Sequence, residues 1–402
     1  MSQHIVLGVG GGIAAYKSCE LLRRLTENGH DVRVVPTQAA LEFVGRATWE
    51  ALSGNPVTTT VFDNVDEVAH VRIAQHAKLV VIAPATADLL ARMAAGRGDD
   101  LLTSTLLMTT SPVIAVPAMH TEMWRHPATV ANVETLRSRG IRVMDPADGR
   151  LTGADSGPGR LPEPSAIAEV CEAVLTRDGT TQDLAGVRVT ISAGGTREPI
   201  DPVRYLGNRS SGRQGWALAA AAVARGAIVN VVAANVDRAD PVGAKVTRVR
   251  TSEDLHAQMV ERSRDADVVI MAAAVADFRA RDISTSKIKK SDSGDGIVLN
   301  LERTTDVLAE LGAVRSEGGP ILVGFAAETE PDERSLVVLA QGKLAAKGAD
   351  LIVANEVGTD RGFEESDNQV VIVSADGIVG RTERTSKFGV ANGVLDAVSH
   401  LL

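Results

Sequence analysis

Two cysteines, Cys19 and Cys171, in a chain of 402 residues are too few for a disulfide framework. Both sit in helix-like stretches, and a reducing, cytoplasmic setting is expected. Aromatic residues make up only 3% of the chain, so stacking platforms for single-stranded nucleic acid are scarce. Basic charge is not in excess either. A net charge of −9 argues against a nucleic-acid partner, because phosphate backbones call for a basic surface. No uncharged apolar run reaches transmembrane length. The opening MSQHIVLGVGGGIAAYK has an apolar core but no basic leader, and reads as a first strand instead of a signal peptide. Missing too are the two common nucleotide signatures, G-x-x-x-x-G-K-[ST] and G-x-G-x-x-G.

What remains is an ordinary globular composition, 44% apolar and 23% charged, in a chain longer than one core usually holds. Two domains are therefore expected. Strand-like runs alternate with helical patterns: HIVLGVG, DVRVVPT, KLVVIAP, PVIAVPA and IRVMDP in the first half, each separated by amphipathic segments. The alternation restarts at Val187 with VRVTIS, AIVNVVAA, DVVIMAAA, GPILVGFAAE and ADLIVAN. This is the pattern of an α/β protein with two doubly wound, mostly parallel, Rossmann-like sheets. The polar stretch RDGTTQDLAG marks the boundary, giving domains 1–180 and 181–402. Residues 145–164, rich in glycine and proline, read as a long functional loop. Asp376-Gly377 between β-type runs predicts a type I′ hairpin and an antiparallel edge.

The segment ISAGGTREPIDPVRYLGNRSSGRQGWALA, 191–219, narrows function most. Gly194-Gly195 follow a strand, and Ser210-Ser211-Gly212 open an alanine-rich helix. Glycine N–H groups and serine hydroxyls at a helix start suit an anion. A second glycine loop, GVGGGIAAYK, contains Gly11 and Gly12. Ile13 stands where a dinucleotide fingerprint needs its third glycine, and the second strand ends at Thr37 with no acid for a ribose. A hydroxyl there suits a flavin mononucleotide phosphate better than nicotinamide. His70 precedes KLVVIAP, and Pro84-Ala85-Thr86-Ala87-Asp88 turns from that strand into a helix. A histidine taken singly is more often structural, and only its neighbouring motifs single it out.

Those motifs carry a resemblance. GVGGGIAAYK, HVRIA from His70, PATAD, PAMHTEMW and GPGR, in this order, resemble the flavin-dependent cysteine decarboxylases, which have a flavodoxin-like fold. AGGTREPIDPVRYLGNRSSG, AAAVADFR, KIKK and VGFAAET resemble phosphopantothenate–cysteine ligases. Together they are similar to the bifunctional bacterial decarboxylase/ligases of coenzyme A synthesis, nearly end to end. The resemblance implies FMN held at Gly11, Gly12, Thr37, Thr86 and Ser104. The flavin oxidises the cysteinyl thiol, carbon dioxide leaves through a thioaldehyde-like species, and the electrons return. His70 matches the active-site histidine. Two departures stand out. His120 replaces an asparagine that contacts the substrate carboxylate, and Gly153 occupies the place of a proton-donating cysteine in the flap from Thr152 to Arg160. Either a different donor completes the reduction or the decarboxylase half is slow; the first is favoured because Asp155 and the rest of that flap persist.

For the second half, the resemblance implies amide formation through an acyl-cytidylate, with CTP, Mg²⁺ and release of pyrophosphate. Asn208 donates to the developing oxyanion. Asp277 carries the metal and lies with Lys287 in the nucleotide site, Phe325 ends the strand ILVGF in the cytosine pocket, and Lys343 and Lys347 share a helix face. Gly194, Ser210, Ser211 and Gly212 hold phosphate. Thr305, Asp306, Val307 and Leu308 form a further nucleotide segment, where an N-P-D pattern is replaced by Thr304-Thr305-Asp306. The preference for CTP over ATP comes from the resemblance alone. The family's trimeric decarboxylase and dimeric ligase contacts imply a homo-oligomer, a dodecamer, acting on small molecules without nucleic acid or membrane. Two competing readings are a two-domain flavin/nicotinamide oxidoreductase and a non-catalytic regulatory homologue. The first needs an acidic ribose clamp that DVRVVPT and AIVNVVAAN lack; the second is opposed by His70, Asn208, Asp277 and Lys287.

Overall fold

The run LVVIAPA is apolar without a break because it lies in the middle of a sheet covered on both faces, and all seven residues are buried. The computed structural model describes residues 2–60, 69–150, 156–176, 182–289, 298–316, 318–328, 333–356 and 367–402. It divides into two compact units, Met1–Gln182 and Asp183–Leu402.

In the first unit β1 (His4–Val9), β2 (Asp31–Pro36), β3 (Leu79–Ala85), β4 (Val113–Pro117) and β5 (Arg142–Val143) form a parallel sheet in the order β2-β1-β3-β4-β5. That is the flavodoxin order, whose switch point lies between β1 and β3. Its helices are α1 (Ala15–Glu27), α2 (Arg46–Ser53), α3 (Ala69–His76), α4 (Ala87–Ala94), α5 (Leu101–Met108), α6 (Thr121–Arg125), α7 (Pro127–Ser138) and α8 (Pro164–Leu175). Helix α1 buries Ala15, Ser18, Leu21, Leu22 and Leu25, one face at three- and four-residue spacing. The Ser18 hydroxyl on that face donates to the Ala83 carbonyl at 2.7 Å.

Part of the long loop expected over 145–164 is instead a ribbon. β6 (Ala147–Arg150) pairs antiparallel with β7 (Ser156–Arg160). Gly157, at φ 153°, lets the ribbon lie against the start of α6, since a Cβ there would sit 2.8 Å from Thr121 Oγ1. Gly153 and Asp155 fall outside the described residues.

The second unit holds β8 (Arg188–Gly194), β9 (Arg197–Pro199), β10 (Tyr205–Gly207), β11 (Ile228–Ala234), β12 (Ala244–Val249), β13 (Val268–Met271), β14 (Phe278–Ala280) and β15 (Leu301–Arg303). β16 (Ile321–Glu328), β17 (Leu351–Glu356), β18 (Asp367–Asn368), β19 (Val371–Ser374) and β20 (Gly377–Arg381) follow. The main sheet runs β12-β11-β8-β13-β16-β17-β19-β20. Its first six strands are parallel, in the 3-2-1-4-5-6 order of a dinucleotide-binding fold, and β19 and β20 add the antiparallel edge. Helices α9 (Arg213–Ala224), α10 (Ser252–Ser263), α11 (Val307–Val314), α12 (Glu333–Lys347) and α13 (Lys387–Ser399) cover it. Small residues bring α9 close: a Cβ on Gly215 would come within 2.4 Å of Ala193 Cβ.

The β19–β20 hairpin forms, but its turn is not type I′. The loop residues Ala375 and Asp376 lack the positive φ that type demands, which falls on Gly377 at φ 118°. Among the described residues no helix is long and apolar enough to cross a membrane.

One buried charge locks this unit. Arg225, 2% exposed, ion-pairs with Asp183 at 2.5 Å and Asp396 at 2.8 Å, and donates to the carbonyls of Asn392 and Leu395. The arginine is the buried member, while the Asp183 and Asp396 carboxylates keep access to water, so its removal costs at the low end for a buried pair. Arg225→Leu should cost about 3 kcal/mol in equilibrium denaturation of the second unit. A loss below about 1 kcal/mol would show the clasp to be replaceable by packing.

Candidate active sites

At the carboxyl end of the first sheet three turns converge. The Gly10–Gly12 turn is squeezed between its neighbours: a Cβ on Gly10 would lie 2.5 Å from the Pro84 carbonyl, and one on Gly11 2.4 Å from Ala39 Cβ. Among the described residues nothing accepts from the Gly11 and Gly12 N–H groups. Thr37 and Thr86 each start a helical turn, their hydroxyl oxygens accepting from the N–H of Ala40 and Leu89. An oxygen that accepts in this way keeps its own O–H to donate.

The turns open on a cleft of about 630 Å³, lined by Gly11, Gly12, Thr37, Thr86, Met119 and Met123 among others. This is within the usual range for a cofactor pocket. Ile13, at the cleft wall, is 74% exposed. Free N–H groups, two hydroxyls and an apolar wall suit a mononucleotide with a flat ring, so the residues present fit FMN.

Of the other residues read from the sequence, Ser104 does not line this cleft. It sits within α5, beside Gly98. His70 lies on α3, which packs on α5; the ring is half-buried, and its Nδ1 has no partner among the described residues. His120 caps the start of α6 between two lining residues, Met119 and Met123. Its Nδ1 donates to Glu122 at 2.8 Å, which holds the Glu122 carboxyl below its ordinary value. The ribbon reaches this turn too, through Met119 N–H donating to the Gly159 carbonyl.

Sequence reasoning missed Arg92 and Asp100, both in the cleft wall. Arg92 is bound by Asp88, Asp99 and Asp100 at 2.8–3.1 Å, so its charge is met within the protein. The Asp88/Arg92 spacing on one helix face was the available signal. Burial pushes the Cys171 thiol well up and raises that of Cys19, so neither is a ready proton donor. Neither lines the cleft.

In the second unit the switch point lies between β8 and β13. Gly194, at φ 86°, leaves β8 where a Cβ would stand 2.0 Å from the Ala234 carbonyl. Asn235, the one non-glycine residue at positive φ among those described, donates from Nδ2 to the carbonyls of Gly195 and Arg250. Ser192 and Thr196 hydroxyls accept from Ala273 and Ala276 N–H, and Asn208 Nδ2 donates to the Val275 carbonyl at 3.0 Å. The glycine turn, Asn208 and the 272–277 segment are thereby one assembly. Gly212, at φ 73°, caps α9, and Ser210 Oγ accepts from its N–H at 3.4 Å. Ser211, one residue before that cap, is exposed.

Several expectations shift. Asp277 does not end a sheet strand: β13 stops at Met271, and exposed Asp277 precedes β14, its carbonyl accepting from Thr304 N–H. Phe325 is inside β16, not at its end, because pairing with β17 continues to Glu328. Val307 and Leu308 turn their side chains into the core, so only their main chain, at the start of α11, can meet a ligand. Thr305 is exposed just ahead of that helix. Asp306 caps it and pairs with Lys347 at 3.0 Å, joining two residues assigned separately to one site. Lys343 is half-buried on the same helix as Lys347, and Lys287 is exposed. Lys290 lies outside the described residues.

The Gly195 N–H, expected to face an anion, is given to the Ala234 carbonyl at 3.0 Å. A flavodoxin-order unit with a cleft that fits FMN, followed by a dinucleotide-order unit with a glycine–serine turn at its switch point, defines a two-domain α/β flavoprotein. Comparison narrows this. The Flavoprotein family model matches residues 1–176, and the model for the DNA/pantothenate metabolism flavoprotein C-terminal domain matches 184–402. The coenzyme A biosynthesis bifunctional protein CoaBC of Mycolicibacterium smegmatis is 52% identical, over 100% of this chain and 98% of its own. Its counterpart in Vibrio parahaemolyticus is 42% identical, over 93% and 92%. A crystal structure of the C-terminal domain of such a protein is 33% identical, covering 55% of this chain and 98% of its own, with a TM-score of 0.46. The chain belongs to the family of coenzyme A biosynthesis bifunctional CoaBC proteins.

Proposed function

We propose that unit 183–402 joins cysteine to 4′-phosphopantothenate and that unit 1–182 decarboxylates the product to 4′-phosphopantetheine. The ligase step spends CTP: the carboxylate attacks the α-phosphorus, pyrophosphate leaves, and the cysteine amine then displaces CMP from the acyl-cytidylate. What supports this most is one chain carrying both a cleft with free glycine N–H groups and a second, glycine–serine phosphate turn tied to Asn208.

In the first unit Gly11, Gly12, Thr37 and Thr86 bind the FMN phosphate, and Ile13, Met119 and Met123 shield its ring. FMN, when bound, supplies the oxidation and reduction that bracket carboxylate loss. His70 exchanges a proton with the substrate, and His120, steadied by Glu122, holds its carboxylate. In the second unit Gly194, Ser210, Ser211 and Gly212 take anionic groups. Asn208 meets the acyl oxygen, and Lys287, Lys343 and Lys347 neutralise phosphate. Thr305, Asp306 and Phe325 meet the nucleoside. Asp277 is a single exposed carboxylate, and among the described residues no group of three metal-ligating side chains accompanies it. That donor set suits a magnesium ion arriving with the triphosphate.

Exposed apolar residues support a homo-oligomer. Val203, Tyr205, Phe278 and Ile283 crowd the short ribbons β9–β10 and β14–β15, which suits a ligase dimer, and exposed Ile13 lines the flavin cleft with exposed Tyr16 following on α1, which suits a decarboxylase trimer. Both symmetries close in a dodecamer.

Purified protein should be yellow, elute as a closed assembly larger than a dimer, and release pyrophosphate from CTP, phosphopantothenate and cysteine. Chelation should stop pyrophosphate release but not carbon dioxide release. Colourless protein that releases no carbon dioxide from phosphopantothenoylcysteine would overturn the first half. Pyrophosphate formed without dependence on phosphopantothenate would overturn the second.

A further inference from the structure

We propose that Asp201 is a positioning residue for the ligase reaction. With Arg204 it clamps the main chain of Ile288 and so aims the flanking Lys287 and Lys289. This rests on the reading of Lys287 as a phosphate-neutralising group.

The Asp201 side chain is fully buried yet carries four donors: the N–H groups of Val203 (2.7 Å), Arg204 (2.6 Å) and Ile288 (3.2 Å), and Arg204 Nη1 (2.8 Å). Arg204 Nη1 also donates to the Ile288 carbonyl at 3.1 Å. Both main-chain polar groups of Ile288 are therefore held, one by each member of the pair. A turn at 201–204 needs only its own two amides to close on an aspartate. The third amide comes from a distant segment, and that segment is the one with exposed lysines on either side. Next to it, Ser284 N–H donates to the Ile200 carbonyl at 3.0 Å, a second tie between the same stretches.

Burial works to raise the Asp201 carboxyl, but the converging N–H donors outweigh it and hold the group below its ordinary value. It stays ionised, as the clamp requires. A lysine stem has four flexible carbons, so its backbone anchor is what the protein can fix. Misplacing a reacting group by about 1 Å can cost about 100-fold.

The test is a double-mutant cycle in the full chain, read by pyrophosphate release. Decarboxylation in the same samples reports on the first unit. D201N should lower ligase kcat/KM about 100-fold in the wild-type background. In a K287Q background the same change should add less than about twofold, because the residue it aims is gone. An equal fold-loss in both backgrounds would overturn the proposal and leave Asp201 a structural residue. If K287Q alone keeps the wild-type rate, the reading of Lys287 has failed, and the same cycle with K289Q then decides the clamp. Should D201N fail to fold, D201E keeps the charge but shifts it off the Ile288 N–H. It should reproduce both the loss and its disappearance with K287Q; additive losses would again overturn the clamp.

Discussion

His70→Asn should abolish carbon dioxide release while pyrophosphate release stays at the wild-type rate. The imidazole opens α3, half-buried, with Nδ1 in the interior and no partner among the described residues. Buried polar atoms are rarely left unmatched, and a catalytic role is one of the reasons for an exception. Imidazole also exchanges a proton near neutral pH, which a carboxamide of similar shape does not. General acid–base catalysis contributes about 10²- to 10⁴-fold, so a fall in decarboxylation of at least 100-fold is expected. Each unit has its own turns and its own sheet, so the ligase rate in the same tube is the control. Unchanged carbon dioxide release in the purified variant would remove His70 from the chemistry. A parallel fall in both products would point to damage beyond one site.

Asn208→Asp should form acyl-cytidylate and pyrophosphate but transfer poorly to cysteine. The carboxamide orientation follows from its neighbour: the Val275 carbonyl accepts at 3.0 Å, so the nitrogen must face it. One N–H remains to meet a developing oxyanion. Aspartate has no N–H to give, and its charge opposes both the Val275 carbonyl and the oxyanion. Losing one such donor costs about 10²- to 10³-fold in rate. Rapid quenching and mass measurement should therefore reveal a trapped acyl-nucleotide. Loss of CTP binding would assign Asn208 to the nucleotide pocket instead.

The elements were legible where burial imposes a pattern. LVVIAPA reads as an internal strand because both its faces are covered, and α1 reads as a helix because one face is. Strand order was not legible, since it depends on which runs pair across the sheet. The short ribbons escaped for another reason. Polar segments such as 197–207 have no core face of their own and are held by hydrogen bonds like those on Asp201. The glycine turns showed in the sequence because glycine is a local demand. The contacts of Arg92 with Asp99 and Asp100 and the Asp306–Lys347 pair did not, because those members meet only after folding.

One glycine turn in each unit leaves no room for a side chain, and this has a genetic consequence. Every amino acid reachable from glycine by one base change carries a Cβ. At Gly11 that atom would meet Ala39, and at Gly194 it would meet the Ala234 carbonyl. An inhibitor that reads the N–H groups of the Gly11–Gly12 turn thus leans on a surface that a single base change cannot reshape without collision. Resistance would have to arise at flanking side chains such as Ile13 or Met123, where contacts can be traded without moving the main chain.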